Sequence, residues 1–316
     1  LSVFIEDIQF AYRFLLGREP SEREAAAWLG VPSLAELRKH FLESFEFRAI
    51  ALSAARNPPR LPLDLVPLAI EWQAEPNTEK TLLDYVKKTW TKLGEEEPHW
   101  SVLSSEEFKA ANINEHRQSF YASGATDARL ISAVLERNGI AAGRYRRILE
   151  YGCGVGRATT HIAKRFQEVI AVDISASHLS LAEKTIADSG NKNVRFVLSK
   201  APDFGIEEGF DLFFSYIVLQ HNPPPVIALV LRRMFRCLMP EGLAIFQVPT
   251  YVPGYSFSVA RYLFEPKLET IEMHCLPQHV IFQLALEAGC MCLEVREDAA
   301  MDFPWLSNTF VFRKMC

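Results

Sequence analysis

The chain has 316 residues, 49% hydrophobic and 23% charged, which is the make-up of an ordinary globular protein and is longer than one hydrophobic core usually serves. Its formal net charge of -5, with 34 Lys and Arg scattered among 39 Asp and Glu, offers no basic field for a phosphate backbone and argues against nucleic acid as a general partner. No apolar run approaches the roughly 20 residues that span a bilayer, and six cysteines without CxxC spacing suit a reduced cytoplasm better than a disulfide framework.

The N-terminus lacks the charged region and short apolar core of a signal peptide, and a start at Leu1 instead of Met leaves an upstream segment open. From Phe4 onward, apolar residues recur at helical spacing (Phe4, Ile8, Ala11, Tyr12, Leu15, Leu16), and Gly17-Arg18-Glu19-Pro20-Ser21 reads as the turn to a second helix. Residues 1–56 are therefore expected to form a small helical domain. Pro58, Pro59, Pro62 and Pro67 then mark 57–67 as a linker. Residues 68–145 are again helical in pattern and lead into a core domain over 146–316. There the short apolar strands Ile148–Tyr151, Val169–Val172, Val194–Leu198, Leu212–Tyr216 and Ala244–Val248 alternate with helices, the rhythm of a parallel sheet wrapped on both faces. Leu293–Glu297 and Thr309–Arg313 follow with no helix between them and predict an antiparallel hairpin. Cys290 and Cys292 would share one face of a strand as a core pair.

The segment Glu150-Tyr151-Gly152-Cys153-Gly154-Val155-Gly156-Arg157 leaves an apolar strand through three glycines and enters a helix, so a ligand can approach bare backbone beside helix N-terminal amides. A dinucleotide fingerprint needs glycine where Arg157 stands, which disfavours NAD and FAD. Glu150, two residues before the first glycine, is placed to meet a cation such as the ammonium of a bound amino acid. Asp173 ends the second strand, where a carboxylate can accept both hydroxyl hydrogens of a ribose. Ser175 suits the N-cap of the next helix.

These features, the E-x-G-x-G-x-G turn, the acid after the second strand and the terminal hairpin, resemble the class I S-adenosylmethionine-dependent methyltransferases over about residues 115 to 316. The resemblance implies an α/β fold, a doubly wound, seven-stranded, mostly parallel Rossmann-like sheet with its last strand antiparallel, here preceded by an N-terminal α-helical domain. It also implies S-adenosylmethionine as cofactor, with Gly152 and Gly154 under the methionine part and Asp173 on the ribose. Cys153, Gly156, Ile174, Ser215 and Tyr216 complete the candidate cofactor residues on the strand ends. The acid that family members often carry after the third strand is absent or displaced to Asp203, so Ser199 or the backbone at Ala201 stands in for it near the adenine. Tyr121 belongs to an approach segment that closes over the cofactor in similar enzymes.

On the acceptor side, the fourth strand is taken to run from Asp211 to Asn222, stopped by three prolines, and the resemblance places its end beside the transferred methyl. A hydroxyl acceptor benefits from a base, and His221 is in the region to serve. Glu272 and His274 sit two apart and share a face if extended, which makes them the other candidates for catalysis. The tyrosines of the insertion after the fifth strand could pack on a sugar ring or an aromatic acceptor. No metal is expected: His221, His274 and His279 lack compact ligand spacing, and no carboxylates cluster as a magnesium site would need.

The run Tyr12–Pro20, with Trp28-Leu29 and Phe41–Arg48, resembles a small helical domain of unknown function found in bacterial enzymes that make or modify cell-surface glycans. It implies association with a glycan pathway, by docking to a glycan or to a partner protein through residues 1–56. The expectation is a cytoplasmic O-methyltransferase acting on a sugar or glycan hydroxyl. The alternatives are a small-molecule N-methyltransferase or natural-product O-methyltransferase, and a non-catalytic scaffold of the same fold.

Overall fold

The structure, a computed structural model, describes residues 3–44, 46–47, 64–199, 209–266 and 270–316. It divides into two compact units, Leu1–Leu61 and Pro62–Cys316. Of the linker expected over 57–67, residues up to 63 lie outside the described ones.

In the first unit, α1 (Ile5–Ala11) continues into a wider turn, Tyr12–Leu16, and ends on Gly17 at φ 68°, the left-handed conformation that glycine takes without steric cost. Ser21 starts α2 (Glu22–Trp28) with a reciprocal cap: its hydroxyl accepts the Glu24 N–H, and the Glu24 carboxylate accepts the Ser21 N–H. Ser33 caps α3 (Leu34–Glu43) in the same position. Ile8, Tyr12, Ala25, Leu37 and Phe41 are the buried stripe these helices share.

The second unit opens with β1 (Ala69–Ile70), α4 (Pro76–Glu96), α5 (Ile113–Ser123) and α6 (Ala125–Arg137). The alternating section follows as β2 (Arg147–Tyr151), α7 (Thr159–Ile162), β3 (Glu168–Asp173), α8 (Ala176–Ser189), β4 (Val194–Leu198), β5 (Phe210–Ser215), α9 (Pro224–Cys237) and β6 (Leu238–Tyr251). An insertion carries β7 (Ser256–Phe257) and α10 (Val259–Phe264), and the chain closes with α11 (Gln278–Glu287), β8 (Cys290–Glu297) and β9 (Leu306–Lys314).

Seven strands form one sheet in the order β4-β3-β2-β5-β6-β9-β8. The first five run parallel, and β9 enters antiparallel to both β6 and β8. Successive strand residues feed opposite faces, so Leu149, Ile170 and Phe213 join one core with α4, α9 and α11, while Ile148, Val169 and Leu212 join the other with α6 and α7. Segments 68–145 and 146–316 thus share a single unit, with Leu82 and Leu83 of α4 buried in the first of these cores. A separate two-stranded ribbon pairs β1 with β7 in parallel and anchors the insertion to the start of the unit. No helix among the described residues is long and apolar enough to cross a membrane.

The end of the fourth core strand departs from the sequence reading. Strand pairing stops at Ser215 instead of running to Asn222, and Leu219–His221 form a single 3-10 turn. Pro224 and Pro225 open α9, where the missing N–H groups cost nothing.

Candidate functional site

Strand order reverses between β2 and β5, because the chain leaves β2 toward β3 and β4 and returns on its other side. Sheets of this kind open a crevice at such a point, beyond the carboxyl ends of the strands. The turn after β2 lies there, with Gly152, Gly154 and Gly156 at φ 79°, 53° and 82°. A Cβ on Gly152 would stand 2.4 Å from Val218, and one on Gly154 2.7 Å from Val102, so both positions require glycine for space as well as for backbone. The N–H groups of Gly152 and Cys153 both donate to the Val172 carbonyl, at 2.8 and 3.0 Å, which pins the turn to β3.

A cavity opens over this turn. Its floor is Glu150 to Gly154 with Asp173 and Ile174, one wall is Phe214 to Val218 with His221 and Asn222, and its cover is Trp90, Ser101, Val102 and Leu103. Glu150 is 4% exposed, and its Oε2 has no hydrogen-bond partner. Burial raises its carboxyl to about 8, Asp127 and Asp173 push the same way, and Thr159 and Arg157 oppose them. Arg157 is committed to Asp127 through Nη2 and to the Ser123 hydroxyl through Nη1. Three carboxyl groups therefore share the cavity with one engaged guanidinium. A buried acceptor without a donor is costly, and an ammonium group would supply the donor. The amino-acid end of S-adenosylmethionine fits this lining.

Asp173 also makes contacts that its sequence position did not announce. One carboxylate oxygen accepts the Gly154 N–H at 2.8 Å, the other accepts the Ser175 N–H at 2.9 Å, and His178 Nδ1 lies 3.5 Å away. The carboxylate first holds the glycine turn against the start of α8, and only its remaining lone pairs are open to ribose hydroxyls. Ser175 is the N-cap of α8 and accepts the His178 N–H, and the His178 ring reaches the Ser101 hydroxyl of the cover at 2.9 Å.

At the opposite wall Ile217 has φ 56°, an outlier for a β-branched residue, held by its N–H donation to the buried Gln247 side chain at 3.1 Å. His221 follows on the 3-10 turn, with its ring 5.5 Å from that of Trp90. Nδ1 lies 2.9 Å from the Glu272 carbonyl, which can only accept, so Nδ1 carries the proton and Nε2 the lone pair. The Gln220 side-chain amide approaches that Nε2 at 3.5 Å, consistent with the same tautomer. Burial lowers the imidazole to about 4, so the ring is neutral at physiological pH.

Glu272 and His274 line a second, outer cavity with Tyr255, Tyr262, Arg261, Glu71, Glu265 and Trp305 and are absent from the lining of the inner one. Tyr262 donates to Glu272 Oε2 at 2.6 Å, Tyr255 Oη bonds His274 Nδ1 at 2.8 Å, and His274 Nε2 is 3.8 Å from the same carboxylate. The His274 N–H donates to the Gln220 carbonyl, so residues 220–221 and 272–274 stand back to back between the two cavities.

Of the residues singled out from sequence, Glu150, Gly152, Cys153, Gly154, Asp173, Ile174, Ser215, Tyr216 and His221 line the inner cavity. Gly156 lies outside its lining and packs its open side on Ala182. Tyr121 is turned away from the cavity: its hydroxyl meets His99 and Thr185 in a small aromatic cluster with Phe108 and Phe120. The covering role expected of it falls to Trp90 and Ser101 to Leu103. Ser199 is buried but outside the lining, and Ala201 and Asp203 lie outside the described residues. Sequence reasoning missed Trp90, Asp127 and His178, which sit inside amphipathic helices with no motif to mark them. Among the described residues no three His, Cys, Asp or Glu side chains group as metal ligands.

Residues 148–242 match the family described as methyltransferase domain. Among curated proteins, the chain is 29% identical over 131 residues to a ubiquinone biosynthesis O-methyltransferase of Pseudomonas fluorescens, covering 41% of this chain and 54% of that protein. It is 34% identical over 106 residues to a trans-aconitate 2-methyltransferase of Methylobacterium radiotolerans, covering 33% and 38%. The chain thus spans about half the length, or less, of these curated relatives. Among solved structures, magnesium protoporphyrin IX methyltransferase from Synechocystis PCC 6803 with bound SAH superimposes with a TM-score of 0.51 at 15% identity, over 75% of this chain and 99% of that one. That likeness establishes the methyltransferase form of the Rossmann-like fold.

Proposed function

We propose that the chain is an S-adenosylmethionine-dependent methyltransferase whose inner cavity holds the cofactor and whose His221 assists an acceptor hydroxyl. The observation that carries this reading is the unpartnered, buried Oε2 of Glu150 beneath a three-glycine turn at the point where strand order reverses. When bound, the cofactor supplies a methyl group on a positively charged sulfur and leaves as S-adenosylhomocysteine. Glu150 receives the ammonium, the backbone at Gly152 and Gly154 lies under the methionine part, and the open lone pairs of Asp173 take ribose hydroxyls. Trp90 and Val102 exclude water from the far side. At His221, Nε2 takes the hydroxyl proton as the new C–O bond forms, and the low basicity of the buried ring returns it readily to solvent.

The finer reading is O-methylation of a sugar or glycan hydroxyl in the cytoplasm. The glycan-enzyme resemblance of residues 1–56 supports it, with a partner protein docking there, as does the outer cavity, whose aromatic faces and carboxylates suit a polyhydroxylated ring. The six free cysteines suit the cytoplasm. A second reading, a small-molecule acceptor, is favoured by the names of the curated relatives.

Calorimetric titration with S-adenosylmethionine, in parallel with NAD, tests the reading. Saturable binding of the sulfonium compound alone, weakened about tenfold or more in Glu150→Gln, is expected. A folded protein that binds neither the cofactor nor its demethylated product would refute it. Methyl transfer to monosaccharides against phenols, with labelled cofactor, then separates the two acceptor readings.

A further inference from the structure

The sequence makes His221, His274 and Glu272 alternative candidates for one job. The structure gives them different ones. His221 lines the inner cavity, and the other two line the outer cavity on the far side of a shared wall. Two bonds run through that wall, from His221 Nδ1 to the Glu272 carbonyl at 2.9 Å and from the His274 N–H to the Gln220 carbonyl at 2.8 Å.

We infer that Tyr255, Tyr262, Glu272 and His274 form a positioning cluster that holds the Glu272 carbonyl on His221 and so fixes that imidazole with its proton on Nδ1 and its lone pair on Nε2. The inference rests on His221 being the base of the proposed reaction, but its geometry stands independently of the acceptor.

The carbonyl belongs to a segment without helix or strand, residues 271–277, so no regular backbone ladder places it. Two single backbone bonds tether the segment, from the His274 N–H to the Gln220 carbonyl and from the Leu276 N–H to the Pro249 carbonyl, and side chains complete its placement. Tyr262 donates to Glu272 Oε2 at 2.6 Å, and Tyr255 Oη engages His274 Nδ1 at 2.8 Å. The rings of Phe257 and Tyr262 meet the His274 ring edge-on, with centroids 5.6 and 6.0 Å away. His274 is 5% exposed and Phe257 is 7% exposed, so the cluster sits in a packed surround where a displaced ring has no free volume to enter. A free imidazole has a choice of two tautomers, and the hydrogen bond made by one nitrogen selects which the other becomes. Here a carbonyl on Nδ1 excludes the form with the proton on Nε2, in which the ring could not accept a proton from an acceptor hydroxyl. Since the same four side chains line the outer cavity, a group seated there presses on the device that sets the base.

Ring nitrogen NMR on protein with ¹⁵N-labelled histidine reads the tautomer directly, and loss of one set of signals in His221→Gln assigns His221 among the eight histidines. The wild type should show a protonated Nδ1 and a bare Nε2. His274→Gln, whose amide reaches past the place of Nδ1, and the milder Tyr255→Phe and Tyr262→Phe should shift His221 toward a mixture of both tautomers while binding S-adenosylhomocysteine within about twofold of wild type. His274→Asn, whose amide can take the place of Nδ1 against Tyr255, should keep the wild-type tautomer. The inference is overturned if wild-type His221 carries its proton on Nε2, or if its signals stay put in His274→Gln, Tyr255→Phe and Tyr262→Phe alike. Absence of S-adenosylhomocysteine binding by the wild type would instead overturn the proposed function and leave the tautomer result to be judged separately.

Discussion

Glu150 shows how a site can oppose the stability of the fold that carries it. Its carboxyl stands at about 8 in the folded protein against an ordinary 4.5, mainly through burial. Between those values the folded state binds the extra proton, so the cofactor-free protein loses stability as pH rises from about 4.5 to about 8. Glu150→Gln cannot ionise, so its melting temperature should exceed that of the wild type by a few degrees at pH 8.5 and by less at pH 6, as scanning calorimetry would show. The cofactor's ammonium needs the carboxylate form, so S-adenosylhomocysteine should release about one proton on binding at pH 6.5. Its affinity should also rise nearly tenfold from pH 6 to pH 7. Equal heats in buffers of different ionisation enthalpy would count against this. His221 has the opposite shift, down to about 4 by burial, so it stays unprotonated over most of the working range. At saturating cofactor, the acid limb of kcat should lie near pH 4, and a limb near pH 6.5 would remove His221 from the role of base.

The element that matters most beyond the sheet is α4. It buries Leu82 and Leu83 in the main core and carries Trp90 over the cavity. Its close approach to the start of α8 depends on Gly94, where a Cβ would stand 2.4 Å from the Ser175 hydroxyl and 2.7 Å from that of Ser177. Ser175 is also the cap of α8 and, through its N–H, a holder of Asp173. Gly94→Ala should therefore weaken S-adenosylhomocysteine binding by about tenfold, although Gly94 is not part of the cavity lining, because it forces either the helix or the cap to move. Unchanged affinity with unchanged stability would mean that α4 can shift without disturbing Trp90 or Asp173. The turn Gly152–Gly156 is less forgiving, since its three glycines combine left-handed backbone with contact to Val218, Val102 and Ala182. Gly152→Ala should cost about 2 kcal/mol of stability, by urea unfolding, besides blocking the site.

At the scale of the whole chain, residues Leu1–Leu61 and Pro62–Cys316 are separate compact units, and the first has its own buried stripe around Tyr12, Leu37 and Phe41. Every residue lining the two cavities belongs to the second unit. A protein consisting of residues 62–316 should therefore unfold cooperatively and bind S-adenosylhomocysteine within about twofold of the full chain, while any recruitment role of the first unit is lost. A large loss of affinity on truncation would show that the helical unit takes part in the site.

The sequence by itself determined what is local. Buried parallel strands need unbroken apolar runs, so Val169–Val172 and Leu212–Phe214 were legible, and the sheet with its antiparallel β9 followed from the rhythm of the strands and the terminal hairpin. The glycine turn was legible because left-handed backbone demands glycine, and Asp173 because it ends a strand beside that turn. Only the tertiary structure decided what covers the cavity and which histidine faces it. Trp90, Asp127 and Tyr121 all lie on helices, where one side chain in three or four faces any given neighbour, and no spacing in sequence says which neighbour that is. Glu272 and His274 share a face with each other, as their spacing required, but the position of that face behind His221 depends on a backbone contact between segments some fifty residues apart. Local pattern specifies backbone conformation and burial, whereas the meeting of distant side chains is settled only when the elements pack.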